Sequence, residues 1–255
     1  MPVIHKIFSE TSAAIFNVAS SRRDSTFRLH YFPLHGSAHA ARLILATTGA
    51  KFESTFPKDW LAEKSTVPFG VLPVLYETIS SPGEEDQVLE IPESDAIEHY
   101  LSRKFNLLGE TPFEETRIHA LVSSANAVTS FVFVRIASTK DATHKQEWVD
   151  QFVSKTAPAW VQPLEEYSKA NGTAGYLVGG KLSLADIKAA IAIEVIQGLT
   201  GDAIVSAEKT PGLWIIWKTI TAIPSYVVWR ESAAYQRFDA GYQVFLQGLL
   251  AEKED

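Results

Sequence analysis

Two short stretches of this 255-residue chain carry groups that could hold a ligand. In Val71-Leu72-Pro73, ahead of the apolar pair Val74-Leu75, a proline opens a strand, where its missing N–H is not needed by the ladder. Were the Leu72–Pro73 bond cis, the N–H and C=O of Leu72 would turn outward and pair with an extended peptide. A trans proline would simply start the strand, and the motif leaves both readings open. In Glu93-Ser94-Asp95-Ala96-Ile97, Ser94 stands at a helix start, where free N–H groups and the helix dipole attract an anion. The competing reading is that Ser94 caps its own helix. Ser183 and Asp186 have capping-box spacing, with Leu182 able to staple onto the helix that follows. That third motif is a folding signal without a ligand role.

Composition narrows the chemistry. The chain has no cysteine, so disulfides, thiolate metal sites and catalysis by a protein thiol are excluded. Any thiol chemistry must use a thiol brought by a substrate. No metal site is expected. A formal charge of −7 without a basic block disfavours nucleic-acid binding. Hydrophobic residues at 46% and charged residues at 21% suit a folded globular protein, and no apolar run reaches the roughly 20 residues of a membrane span.

The elements that must position these motifs follow from pattern. Phe27 to Phe32 alternates and is aromatic, a strand. Ser37 to Thr48 is a helix stopped by Gly49. Lys51 to Phe56 is a second strand. Two more strands, one opening at Val74 and one over Gln87 to Ile91, form a hairpin around the polar turn Ser80 to Asp86. A helix runs from Ser94 to about Phe105, apolar at Ala96, Ile97, Tyr100 and Leu101. This order fits a small α/β unit whose first two strands are parallel. Asn106 to Pro112 reads as a linker. Beyond it lie amphipathic helical stretches near 113–138, 146–170, 184–199, 211–221 and 225–250. Met1 to Ser25 matches a transit peptide only in part, because Glu10 and Asp24 accompany its Arg and Ser residues. It reads as a dispensable extension before the first strand, and the expected location is cytoplasmic, with the mitochondrion as the alternative.

Together these residues resemble the cytosolic glutathione transferase family, most nearly its sigma-like group, which includes prostaglandin D synthases. The resemblance runs from Phe27 to Trp229. It is carried by Leu29-His30-Tyr31-Phe32 with Gly36 and Arg42, then Trp60 to Leu75, Glu93 to Lys104, Gly179 to Asp186, and Ile223 to Trp229. It implies an α/β thioredoxin-like N-terminal domain over 26–106 that binds glutathione, after the extension 1–25. An all-α C-terminal domain over 113–255 would supply the pocket for a hydrophobic electrophile.

Carried over by residue, the resemblance implies that Leu72, between Val71 and cis Pro73, pairs its backbone with the cysteinyl part of glutathione. Glu93 and Ser94 would hold the γ-glutamyl amine and carboxylate, and Trp60 and Lys64 the glycyl end. Tyr31 would donate its hydroxyl proton to the sulfur and stabilise the thiolate nucleophile. Lowering a thiol pKa by two units takes about 2.7 kcal/mol of preference for the anion. Ser37 is the rival hydroxyl, in the slot where serine-type classes carry their catalytic residue and the sigma-like group carries Arg. His119 likewise stands where that group carries Asp. The implied function is conjugation of glutathione, as co-substrate, to hydrophobic electrophiles in detoxification by a homodimer without nucleic-acid partner or membrane span. The alternatives are a non-catalytic carrier or regulatory protein and a glutathione-dependent isomerase.

Overall fold

The computed structural model describes residues 2–172 and 175–250. Met1 of the expected extension and the 251–255 end of the expected helical domain lie outside the described residues. The chain divides into two compact units, one of residues Met1–Phe105 with Pro224–Asp239, the other of Asn106–Ile223 with the residues from Ala240 on.

The first unit is built on a five-stranded sheet in the order β1-β5-β4-β2-β3. Its strands are β1 (Val3–Lys6), β2 (Thr26–His30), β3 (Lys51–Thr55), β4 (Val74–Ile79) and β5 (Gln87–Pro92). Parallel pairing of β2 with β3 follows from the crossover helix α2 (His39–Thr47), and the β4–β5 hairpin is antiparallel, as is β2 with β4. Alternation in β2 turns Phe27 and Leu29 into the core. Every residue of α2 is buried, and it packs on α4 (Ser94–Lys104), which buries Ile97, Tyr100 and Leu101. Ala96, expected on that apolar face, is exposed. Each large apolar side chain so enclosed, such as Leu29, Leu43 or Leu89, contributes about 1.5–3 kcal/mol. A one-turn helix α3 (Trp60–Glu63) lies between β3 and β4.

The sequence reading has no element before Phe27, and here the structure corrects it. Residues of β1 pair in parallel with β5, Val3 opposite Gln87 through Lys6 opposite Glu90. A helix α1 (Ala13–Ser21) follows, packed on α4 and β5. Four residues with two apolar side chains are too short for a periodic signal, so this strand owes its existence to its partner.

A buried charge ties α1 down. The Lys104 ammonium is fully enclosed and donates to the Ala19 carbonyl, to the Arg22 carbonyl at 2.5 Å and to Glu77 Oε1 at 2.8 Å. Its three protons are thereby matched by three acceptors. Tyr100 donates to the other Glu77 oxygen at 2.5 Å. Burial lowers the Lys104 pKa, opposed by Glu77.

In the second unit, α5 (Pro112–Ser130) starts at the Thr111 cap and continues as a π-helical stretch, Phe131–Ile136. By length and composition the combined helix could cross a membrane; of its residues Ile118, Ala125, Val128, Val132 and Ile136 are buried. Helix α6 (Ala142–Gln151) passes through a π-helical turn into α7 (Ala157–Ala170). The central α8 (Leu184–Thr200) is buried along most of its length and packs on α5 and on α9 (Pro211–Thr221). The capping box opens α8 as the motif requires: Asp186 accepts from the Ser183 N–H at 2.8 Å and from the Leu177 N–H at 2.7 Å. The expected continuous stretch 225–250 is two helices, α10 (Pro224–Arg230) and α11 (Ala233–Leu250). Residues 224–239 belong to the first unit, where the Ser225 hydroxyl donates to the Thr47 carbonyl at 3.2 Å and Trp229 meets Phe52.

These contacts tie the N-terminal segment to the sheet unit, where the sequence reading has an extension outside the fold. A chain starting at Thr26 leaves the Lys104 ammonium short of two acceptors, and breaking a buried charge's partnership costs about 3–5 kcal/mol. At about 2–4 °C per kcal/mol for a protein of this size, its thermal midpoint should fall by at least roughly 6 °C. An unchanged midpoint in a thermal melt would show the Lys104 contacts to be expendable.

Candidate active site

Strand register brings the sequence-flagged residues of the first unit to one edge. His30 is opposite Val74, Val74 opposite Pro92, and His30 opposite Thr55. The residue next to each member of this row, Tyr31, Pro73, Glu93 and Phe56, therefore stands at the same end of the sheet, on neighbouring strands about 4.8 Å apart.

At the β5 side, Ser94 is the first helical residue of α4 and Glu93 occupies the cap position, without a side-chain cap bond. Ser94 is thus not the N-cap that its competing reading required. Glu93 is exposed and held at φ 70°, a conformation that costs a non-glycine residue about 1–3 kcal/mol and is retained where the surroundings impose it. In the middle, the Leu72–Pro73 bond is cis. Pro73 is buried, Leu72 half-buried and Val71 exposed.

Tyr31 follows directly on β2, its N–H bonded to the Thr55 carbonyl at 3.0 Å. Its hydroxyl accepts the Ser37 backbone N–H at 3.1 Å. Ser37 lies in the one-turn 3₁₀ helix Gly36–Ala38 ahead of α2, and it caps neither helix. Of the two rival hydroxyls, one is therefore held by the backbone of the other. Gly36 makes this possible: at φ 42° a Cβ there would fall 2.6 Å from the Tyr31 hydroxyl oxygen and 2.6 Å from Leu34 Cδ1.

On the β3 side, Phe32 stacks edge-to-face on both Tyr31 and Trp60, at 5.4 and 5.5 Å between centroids. Asp59 caps α3, accepting from the Leu61 and Ala62 N–H groups, and Glu63 accepts from those of Lys58 and Asp59. His30 holds this turn to the sheet, with Nδ1 3.0 Å from Thr55 Oγ1 and Nε2 3.6 Å from Glu63. Burial lowers the His30 pKa, against the pull of Glu63. Lys64 is exposed beside Gly70.

Sequence reasoning missed what holds the loop between Tyr31 and Ser37. Arg42 is completely buried, and its guanidinium donates to the carbonyls of Leu34 at 2.5 Å and of His35 and Phe32 at 3.4 Å each. Burial pushes its pKa down to about 10, so it remains a cation at neutral pH. His35 and His39 stand four apart, the spacing of a metal-ligand pair on a helix, but their rings stack at 4.1 Å and 21°. Burial, with Arg42 nearby, lowers His35 to about 3, which keeps it neutral. Among the described residues no group of three or more His, Asp or Glu could hold a metal ion. His119, flagged as a departure, lies on α5 in the second unit, 3.8 Å from Glu115.

Chemically, this edge offers an acidic residue beside a helix start, a cis-proline turn, a phenol already engaged as acceptor, and a Trp–Lys pair.

Comparison with known proteins bears on the same features. The family model described as "Glutathione S-transferase, C-terminal domain" matches residues 129–233. Hematopoietic prostaglandin D synthase of Gallus gallus is 27% identical over 205 residues, 80% of this chain and 94% of that protein. A glutathione S-transferase of Dirofilaria immitis is 32% identical over 165 residues, 63% of this chain and 72% of that one. Among solved structures, a sigma class transferase of Fasciola hepatica shares the fold with a TM-score of 0.68 at 24% identity, covering 83% of this chain and 99% of its own.

The Gly36 contact yields a direct test. Gly36→Ala should cost about 1–3 kcal/mol through its positive φ and displace the Tyr31 ring, read by a thermal melt and a crystal structure of the variant. Full stability with the Tyr31 hydroxyl still on the Ser37 N–H would show that the turn tolerates a side chain.

Proposed function

The chain belongs to the glutathione transferase family, in its sigma-like group, and on that footing we propose that Tyr31 is the residue that activates the glutathione thiol. The protein is an enzyme with glutathione as its co-substrate. The observation that carries the assignment of Tyr31 is the hydrogen bond its hydroxyl accepts from the Ser37 N–H. A phenol that accepts a bond from the backbone keeps its own proton to donate, and chained hydrogen bonds polarise one another and strengthen the donor.

The sheet edge supports a binding mode for the rest of the tripeptide. Glu93 and Tyr31 are two strand spacings apart, roughly 10 Å, close to the roughly 10 Å span of three extended residues. The γ-glutamyl carboxylate lies at the Ser94 helix start, where N–H groups and the hydroxyl meet it, and its ammonium faces Glu93. Val71, Leu72 and Pro73 contact the cysteinyl residue, with the Leu72 backbone as its partner. Trp60 and Lys64 receive the glycyl carboxylate. These residues fall within the first unit, which we take as the glutathione-binding domain, with the second unit as the helical domain that admits a hydrophobic electrophile.

In the reaction, the thiol gives up its proton to solvent and the thiolate is held by the Tyr31 O–H. The sulfur then forms a bond to the electrophilic carbon, and a leaving group departs with the bonding pair where the substrate carries one. Tyr31 supplies a charge-assisted hydrogen bond that favours the anion over the thiol. Glutathione transferases are generally dimeric and soluble; we take this chain to act as a cytoplasmic homodimer, without a membrane span or nucleic-acid partner.

Two measurements test the reading. Following the bound thiolate by ultraviolet absorbance against pH, Tyr31→Phe should raise the thiol pKa by one unit or more, about 1.4 kcal/mol of lost anion stabilisation. Ser37→Ala keeps its backbone N–H and should shift it by clearly less; the reverse ordering would move catalysis to the serine. In calorimetry, Ser94→Ala should weaken glutathione binding by about 1–3 kcal/mol, and an undiminished affinity would remove Ser94 from the site.

A further inference from the structure

Three carbonyls of the loop from Phe32 to His35 accept from one guanidinium, and that guanidinium rests on one ring. The Arg42 Cζ lies 4.0 Å from the centroid of Phe238, against 5.8 Å from that of Tyr31. Phe238 comes from the first turns of α11 and is completely buried. Around it stand Phe56, edge-on at 5.9 Å at the end of β3, and the His35 ring at 6.0 Å. Tyr235, one turn earlier, meets His35 at 5.4 Å and Trp229 at 4.8 Å. All these residues belong to the first unit. Phe238 lies five residues past the end of the matched family model at residue 233.

From this juxtaposition we propose that Phe238 is a positioning residue for catalysis, holding the Arg42 guanidinium against the 32–35 loop so that the Ser37 N–H meets the Tyr31 hydroxyl. The proposal rests on the reading of Tyr31 as the thiol activator. The physical argument is one of satisfaction. Arg42 Nε has no hydrogen-bond partner, although the cation is fully enclosed. The electron-rich ring face takes the place of water on that side, and such contacts are strongest when desolvated. Without it the guanidinium loses its seat and can turn away from the carbonyls of Phe32, Leu34 and His35. Those carbonyls set the path from Tyr31 to Gly36, and the tolerance there is small, since the Gly36 turn leaves no space beside the Tyr31 hydroxyl. A side chain of equal bulk but without the ring face would fill the space and still fail to hold the cation.

The experiment is a double-mutant cycle on the full chain, reading the thiol pKa of bound glutathione from the pH dependence of thiolate absorbance, with Phe238→Leu, Tyr31→Phe and the pair. Phe238→Leu should raise the pKa by roughly half a unit or more and add nothing once Tyr31 is already Phe. A merely structural role would lower stability without moving that pKa. If Tyr31→Phe raises the pKa and Phe238→Leu does not, the positioning role alone is overturned. An equal Phe238→Leu shift in both backgrounds overturns it too, since the effect would then bypass Tyr31. No shift in Tyr31→Phe itself sinks the thiol-activator reading, and this inference with it. Should Phe238→Leu fail to fold, a fluorinated phenylalanine at 238, which keeps the shape and weakens the negative face, decides by the same criteria.

Discussion

The register of β2, β4 and β5 is the constraint on which the candidate site depends. Side chains alternate along a strand, so a slip of one residue would turn Phe27 and Leu29 out of the core and carry Tyr31 away from the row it shares with Pro73 and Glu93. The apolar faces of these strands penalise such a slip heavily, and the edge inherits its geometry from that penalty. Residues just beyond the row then fall into place without further adjustment. The terminal positions are where irregular backbone is concentrated: a positive φ at Glu93, at Phe69 and at Gly36, and a cis bond before Pro73. The regular sheet supplies the frame, and its ends supply the groups that meet a ligand.

Two buried cations complete this frame, and they work alike. Lys104 gathers the C-terminal carbonyls of α1 and the Glu77 carboxylate, while Arg42 gathers three carbonyls of the loop after β2. In each case a desolvated charge is tolerable only because fixed acceptors surround it, and that need in turn immobilises backbone that regular secondary structure leaves loose. One cation thereby fastens an N-terminal segment to the sheet unit, and the other fastens the loop between Tyr31 and Ser37. Charge burial here shapes loops more than it adds net stability.

Much of this was legible in the residues. Strands from Phe27, Lys51 and Gln87, the hairpin and the helix from Ser94 follow from local pattern, because alternation and turn chemistry are properties of adjacent residues. The family motifs led to glutathione for the same reason, as they lie in short runs. What stayed hidden depended on residues far apart. The strand Val3–Lys6 exists through Gln87 to Glu90, and the seat of Arg42 through Phe238, nearly 200 positions later. A sequence shows the Ser37 side chain as a hydroxyl, and hides that its backbone N–H reaches the Tyr31 oxygen. The spacing of His35 and His39 gave no hint that their rings stack.

The unit that holds the candidate site is discontinuous, closed by residues 224–239. Ribosomes deliver the amino end first, so the sheet and its loop emerge long before the helix that bears Phe238. Until residues 224–239 arrive, Arg42 lacks its aromatic seat and Thr47 its contact with Ser225. A nascent chain therefore carries Tyr31 and Arg42 before the ring that Arg42 rests on has been made.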